Sequence, residues 1–428
     1  MKNGVANSSV ANLAVVWLVL IVLLYFASGG FLLFQHAALN DNGLWLSYGA
    51  LGAQRSSESM ATLSVSIVVL VLVAPLSRRI VGVGTRERVF TALTMLAIAS
   101  CLWSEVPVLS LGRALFLLVD TLFAFYLFVR FNPGQQMKLV LILGWISLLS
   151  SFVFVVVFPR YGVSHVILAG AWRGIYAQKN SCSAATLVLL PAAFYVAAAS
   201  LLQKLARITY IGLSILLIVR TQSAMGRITL ALLLALAAGI AIVRRIAVKD
   251  KLILLLGGVA LVAAISATAV VHFGEIVFIM GKNLTLTGRT RIWQAVLPAI
   301  FRHPLTGYGY MAFWRGYEGA SADVSLTAGW AVTSSHNGFL EVWLMLGLSG
   351  LVPVLYSFWR AGRCAFTCLR SGATPSHDCW WICLVFVTLV INADEAGIMT
   401  PNNLSWILYV VACAGLAKDA QYIRRKSA

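Results

Sequence analysis

Repeated apolar runs of near-bilayer length constrain this chain more than any other feature. The first occupies 13–34, and others follow at about 60–75, 89–103, 114–129, 138–158, 184–202, 208–222, 228–243, 252–271, 336–359, 380–396 and 403–417. A hydrocarbon core about 30 Å thick takes about 20 helical residues, and these runs lack the polar stripe of a soluble amphipathic helix. Composition agrees. The 428 residues are 60% hydrophobic and 11% charged, when a soluble chain carries about 25% charged residues. The expected fold is all-α, a polytopic membrane protein with about 12 transmembrane helices. The run at 13–34 is too long for a signal-peptide core and lacks a small-residue cleavage site, so it reads as a retained span.

The formal charge of +18 comes from 32 Lys and Arg against 14 Asp and Glu. Cytoplasmic loops of membrane proteins are rich in Lys and Arg, so this excess implies no nucleic-acid partner. With Met1 inside, twenty of the 32 basic residues fall in inner segments, which favours a multi-pass chain with both termini cytoplasmic. The other twelve are Arg55, Arg113, Arg160, Arg173, Lys179, Arg220, Arg227, Lys282, Arg289, Arg291, Arg302 and Arg315. Ten of them lie in the three outer loops between 159 and 336, where the topology rule does not account for them. They call for an anionic partner.

Three regions follow. Residues 1–271 would hold the first nine spans, and 272–335 a large outer segment with one amphipathic helix, packed over the outer helix ends. Residues 336–428 would hold the last three spans and a cytoplasmic tail. Cys364, Cys368, Cys379 and Cys383 make two C-x3-C pairs near an inner loop. That spacing fits zinc, but it is also one face of a helix, and reduced thiols are the reading we adopt.

The outer loops carry the chemistry. In PRYGVSHVILAGAWRGIYAQKNSCS, His165 accompanies the basic residues, and Arg173 precedes Gly174, a residue that lets backbone approach a ligand. Lys179 and Asn180 stand at the entry of the next helix, whose free amides favour an anion. Arg220 and Arg227 flank the tight Ser223–Gly226 turn, as interfacial anchors or as walls of a pocket. A helix starting at Thr287 or Gly288 would carry Arg289 and Arg291 in its first turns. Ile292, Trp293, Val296, Leu297, Ile300 and Phe301 would form its apolar stripe, and Pro304 would end it. Two arginines at a helix N-terminus oppose the dipole unless an anion binds between them and the amides; an interfacial helix on anionic lipid has the same pattern.

His336 is the candidate base. With Ser334 or Ser335 as N-cap it would sit in the first turn of the following span, where the positive helix end keeps the imidazole neutral and able to take a proton. Glu341 is the candidate to orient it, and His303, beside Pro304, is weaker. The outer carboxylates form no metal-ligand pattern. Asp120, Asp394 and Glu395 lie in or beside spans, where charge is costly. They fit either a proton pathway or partners for buried arginines such as Arg113.

Three blocks in order, WRGIYAQKNS, TGRTRIW…HPLTGYGYMAFW and SSHNGFLEVWLMLGLSGL, resemble the bacterial O-antigen ligase and Wzy-type polymerase superfamily, with the flavour of exopolysaccharide polymerases. They cover roughly 172–351; elsewhere the likeness is in hydropathy and span count. The resemblance implies an inner-membrane glycosyltransferase acting on the periplasmic side without metal or other cofactor. Its donor would be an undecaprenyl-diphosphate-linked oligosaccharide, its acceptor a glycan on a lipid carrier. Membrane lipids and export or chain-length proteins would be further partners. By the same resemblance Arg173, Arg220 or Arg227, and Arg289 or Arg291 would bind diphosphate, and Lys179 joins them from its place at a helix entry. His336 would deprotonate the acceptor hydroxyl, with Asn337 and Glu341 in support, and attack at the anomeric carbon would invert it. A ligase acting on lipid A-core is the alternative within the family. A transporter of lipid-linked sugars is the alternative outside it, and would want inverted repeats and interrupted helices.

Overall fold

The computed structural model describes residues 2–28, 48–164, 170–246, 289–371 and 374–427, with the side chains of 2–12, 48–59 and 427 excepted. The expected span at 252–271, the end of the first span, His165, Lys282, the boundary at 271 and the helix start at Thr287 or Gly288 lie outside these residues. The described elements are helical. In order they are α1 (Lys2–Ser28), α2 (Tyr48–Val73), α3 (Ser77–Gly84), α4 (Arg88–Ala99), α5 (Pro107–Arg130), α6 (Pro133–Val156), α7 (Lys179–Leu189) and α8 (Pro191–Tyr195). Then come α9 (Leu201–Arg220), α10 (Ala224–Val243), α11 (Arg289–Arg302), α12 (Ala322–Ala328), α13 (Gly338–Arg370), α14 (Ser376–Asn392) and α15 (Leu404–Ser427).

Among the described residues, six helical stretches are long and apolar enough to cross a membrane: Met60–Gly84, Pro107–Arg130, Pro133–Val156, Leu201–Arg220, Ala224–Val243 and Gly338–Arg370. Leu13–Ser28, Arg88–Leu102 and Ser376–Asn392 are shorter apolar helices. This is a multi-pass architecture. The run at 184–202 is not one helix: α7 and α8 meet at Pro191, whose ring nitrogen cannot donate, and the second piece ends at Tyr195. The run at 208–222 belongs to a helix that starts earlier, at Leu201. There Ser200 and Gln203 form a capping box that satisfies the first free amides. Asn132 and Gln135 do the same for α6, with Pro133 in its first turn.

The centre of the bundle is α13, α14 and α15, with α15 also against α5 and α4 against α5 and α13. Trp380, Trp381, Trp406, Tyr409 and Phe90 are fully buried there. The ring centroids of Phe358 and Tyr409 lie 4.7 Å apart. In the second half of α13, Arg360 pairs with buried Glu87, just before α4. A second, smaller core lies beside the start of α13, where Ile292, Val296 and Ile300 of α11 meet Tyr308, Phe313, Val324 and Leu344. The apolar stripe of α11 is narrower than expected, since Leu297 is 39% and Phe301 65% exposed.

Helix α13 is broken near its N-terminal end. Gly347 has φ 64 and ψ −162, a conformation for glycine, and a Cβ there would lie 2.2 Å from the Leu305 carbonyl carbon. The HPLTGYG segment fills the break. Tyr308 and Gly309 amides donate to the Leu344 and Met345 carbonyls at 2.9 and 3.0 Å; Leu348 and Ser349 amides donate to Pro304 and Leu305 at 2.8 and 3.1 Å. Gly307, φ 65, closes the contact from the other side. Gly347→Ala is expected to destabilise the protein by about 2 kcal/mol or more, measured as a lower thermal unfolding midpoint in detergent. An unchanged midpoint would contradict this interlock.

Candidate functional site

The site begins with a cap. Asn337, not Ser334 or Ser335, caps α13, its Oδ1 accepting from the Phe339 and Leu340 amides at 3.0 and 3.1 Å. His336 therefore stands one residue outside the helix rather than in its first turn, at φ 50. Its amide donates to Ser334 Oγ at 3.0 Å. This left-handed residue turns the chain across the helix end.

Beneath it, buried Glu341 builds the loop. One oxygen accepts from the Ser335 amide at 2.9 Å and Oγ at 2.7 Å, and the other from Trp314 Nε1 at 2.5 Å. Trp293 Nε1 of α11 donates to the Ser335 carbonyl at 2.9 Å. Glu341 thus holds the backbone that carries His336. The carboxylate on the imidazole is a different one.

That carboxylate comes from the end of α14. Asn392 Oδ1 accepts from the Gly397 and Ile398 amides at 2.9 and 2.7 Å, which winds 393–398 into a tight turn. Asn337 Nδ2 ties the loop to this turn through the Ala393 carbonyl at 3.2 Å. Gly338 lets the two approach, since a Cβ there would sit 2.2 Å from Asn392 Oδ1. The turn presents Asp394 and Glu395. Glu395 Oε2 lies 3.2 Å from His336 Nδ1. Its Oε1 takes Arg289 Nη2 at 3.1 Å and Asn180 Nδ2 at 2.8 Å. Arg289 also pairs with Asp394.

Burial pushes the Glu395 carboxyl up. The hydrogen bond and, when the ring is protonated, the charge of His336, the Arg289 charge and the Asn180 bond outweigh it, so the group sits below the usual glutamate range. In the neutral imidazole, an ionised Glu395 on Nδ1 makes that nitrogen the donor and leaves Nε2 as the acceptor. His336 is 32% exposed. The cluster is therefore a held imidazole beside a guanidinium, partly exposed at the surface of the bundle.

The other expected residues have contacts of their own. Lys179 Nζ donates to the Gln222 carbonyl at 3.3 Å, in the turn between α9 and α10, one residue before the Asn180 that holds Glu395. Arg220, exposed, stacks over Trp172 at 4.8 Å, and its carbonyl takes the Trp172 amide at 3.0 Å. Arg227 is exposed, with Nε 3.5 Å from the Ser223 carbonyl. Arg291 is exposed on α11. Arg173 turns back, donating to the Tyr161 carbonyl at 2.8 Å, and burial lowers its guanidinium from the usual range. Two glycines serve packing: a Cβ at Gly174 would meet Ser151, and one at Gly226 would meet Ser183. Arg113 donates to the Met311 carbonyl at 2.6 Å, while Asp120 accepts from the Asn402 amide at 2.7 Å. Arg302 pairs with Asp323 at 3.3 Å beside a cavity between α11 and α12.

Two comparisons bear on this geometry. Residues 209–355 match the family model described as O-antigen ligase. The chain is also 28% identical, over 204 residues, to the exopolysaccharide production protein ExoQ of Rhizobium meliloti strain 1021. That match covers 45% of this chain and 46% of the relative, so the chain spans about half the length of the protein it matches. Both support the O-antigen ligase and Wzy-type family resemblance of the three blocks. The family match takes in Arg220, Arg289 and His336 but ends before Asp394 and Glu395.

Proposed function

We propose, from the O-antigen ligase similarity of residues 209–355 and the Glu395–His336 pair, that the chain is an inner-membrane polysaccharide polymerase. It transfers glycan from an undecaprenyl-diphosphate-linked donor to a hydroxyl of a second lipid-linked repeat, on the periplasmic side. The observation that carries this reading is Glu395, which touches His336 at 3.2 Å and Arg289 at 3.1 Å and so joins base to cation.

The steps follow from the groups present. His336 Nε2 takes the proton of the acceptor hydroxyl as its oxygen attacks the anomeric carbon. The bond to the diphosphate breaks, its electron pair leaves with the phosphate oxygen, and the configuration inverts. Glu395 stabilises the imidazolium that forms. Arg289, with Arg220 and Lys179 from the neighbouring turns, offsets the charge developing on the leaving group. No metal takes part in this scheme.

The ligase reading shares every one of these groups and differs only in acceptor. The ExoQ similarity favours the polymerase. A transporter would use an interrupted helix, and α13 is interrupted. The four backbone groups at that break, however, are occupied by the 304–309 segment, so they are not open to an ion or sugar as transport would need.

The test supplies purified protein with a lipid-linked repeat unit and no other acceptor. A ladder of lengthened lipid-linked glycans is expected. Transfer only after lipid A-core is added would make the protein a ligase, and uptake without transfer would make it a transporter.

Glu395→Gln separates base orientation from simple packing. It keeps the shape and loses the charge, and kcat is expected to fall about 10²–10⁴-fold, as when an orienting carboxylate is neutralised. The sign of the acid dependence also follows. A carboxyl held below its usual value contributes stability above the unfolded value, which is lost as pH falls through the lower folded value. Glu395→Gln should remove that acid-side loss, read as unfolding midpoint against pH.

A further inference from the structure

The end of α14 far from Glu395 carries a second cluster of chemistry-bearing side chains. Helix α14 runs 17 residues, from Ser376 to Asn392, or about 25 Å. At its first turn are His377 and Asp378, and facing them is Asp419 of α15. We propose that His377, Asp378 and Asp419 bind a divalent transition metal ion of the zinc or manganese class.

Packing brings the three together. Gly415 of α15 lets Trp381 of α14 lie flat on its backbone, since a Cβ there would fall 2.5 Å from the indole. Asp419 is one turn beyond Gly415, and His377 one turn before Trp381, so the same close approach sets them opposite each other. The imidazole is held edge-on to Trp381, centroids 5.0 Å apart. His377 Nε2 is 2.9 Å from Asp419 Oδ2 and 4.0 Å from Asp378 Oδ1. One ligand atom from each residue lies within 4.8 Å of the other two. Ligands around a tetrahedral zinc are roughly 3.4 Å apart, so small side-chain adjustments close the site.

Asp378 is the telling residue. Its side chain is 1% exposed, and neither carboxylate oxygen has a hydrogen-bond partner of good geometry, although the Cys368 thiol and the Asp419 carboxyl lie beside it. Buried carboxylates are normally paired or coordinate a metal. Among the described residues, the ion pairs of Asp378 and Asp419 are both with His377. Even a protonated His377 neutralises only one of the two carboxylates. A divalent cation with a neutral imidazole neutralises both and gives the orphaned oxygens a ligand. His377 and Asp419 are 28% and 26% exposed, which leaves a path for the ion.

The cysteines themselves agree with the reduced-thiol expectation. Cys364 and Cys368 lie on α13, Cys379 and Cys383 on α14, all buried and free. Cys368 adjoins Asp378, but the convergent donors are one nitrogen and carboxylate oxygens. At the opposite end of α14 from His336, the ion would pin α14 to α15 and take no part in transfer. The proposal stands apart from the glycosyltransferase reading.

The test uses full-length protein in detergent, stripped with a chelator and titrated with zinc and with cobalt. One metal per chain by elemental analysis, visible cobalt absorption and a raised unfolding midpoint are expected. Asp378→Asn should abolish all three while matching or exceeding the metal-free wild type in midpoint, because it removes a buried charge. Should Asp378→Asn fail to fold, Asp419→Asn supplies the same comparison. Absence of saturable binding in folded wild-type protein would overturn the proposal. So would binding that survives Asp378→Asn and is lost in Cys368→Ser, since the site would then be built on thiolate.

Discussion

His336→Ala is expected to abolish ladder formation, lowering turnover about 10²–10⁴-fold, the usual contribution of a positioned general base. The variant should fold. His336 lies outside α13, which Asn337 caps, and Glu341 holds the loop through Ser335, so neither support depends on the imidazole. The unfolding midpoint should therefore change little while turnover collapses. Loss of the imidazole also frees Glu395 toward Arg289 and Asn180, which keeps the cluster occupied. KM for the donor should move less than kcat, because the base acts on the acceptor. Full activity in His336→Ala would sink the mechanism. His336→Ala and Glu395→Gln should also be strongly non-additive, since the carboxylate acts through the ring.

What the sequence made legible was charge and periodicity; what it hid was pairing. Outer arginines stood out because the topology rule left them unexplained, and His336 because it precedes the start of an apolar run behind two candidate serine caps. The partner of His336 was hidden. Glu341 was expected because it lies one turn along a helix presumed to include His336, but Asn337 is the cap, and Glu341 turns to Ser335 and Trp314 instead. Glu395 lies 59 residues away in sequence and reaches His336 only because Asn392 winds the turn after α14. One signal pointed there: two adjacent carboxylates after an apolar run, in a chain with only 14 acidic residues. The packing role of two glycines was hidden for the same reason: Gly174 and Gly226 allow the close approach of Ser151 and Ser183. HPLTGYG, part of a resemblance block, gained a physical meaning only once Gly347 was seen to open α13 for it.

Arg289→Ala should cost turnover about 10²–10³-fold, the range for removing one preorganised group that stabilises developing negative charge. In the free protein this guanidinium is engaged: one nitrogen pairs with Asp394 and the other reaches Glu395 at 3.1 Å. A diphosphate that binds Arg289 must therefore displace a carboxylate, and Asp394 is the one to leave, because Glu395 is also held by His336 and Asn180. Asp394→Asn makes that exchange easier. It should lower the KM for the lipid-linked donor several-fold and leave kcat near wild type, the reverse of Glu395→Gln. Arg289→Lys keeps the charge but not the planar fork that spans two acceptors, so it should recover only part of the loss. A purely structural Arg289 predicts another pattern. Asp394→Asn would then lower stability and turnover together, with no gain in donor affinity, and Arg289 would no longer be the residue that meets the diphosphate.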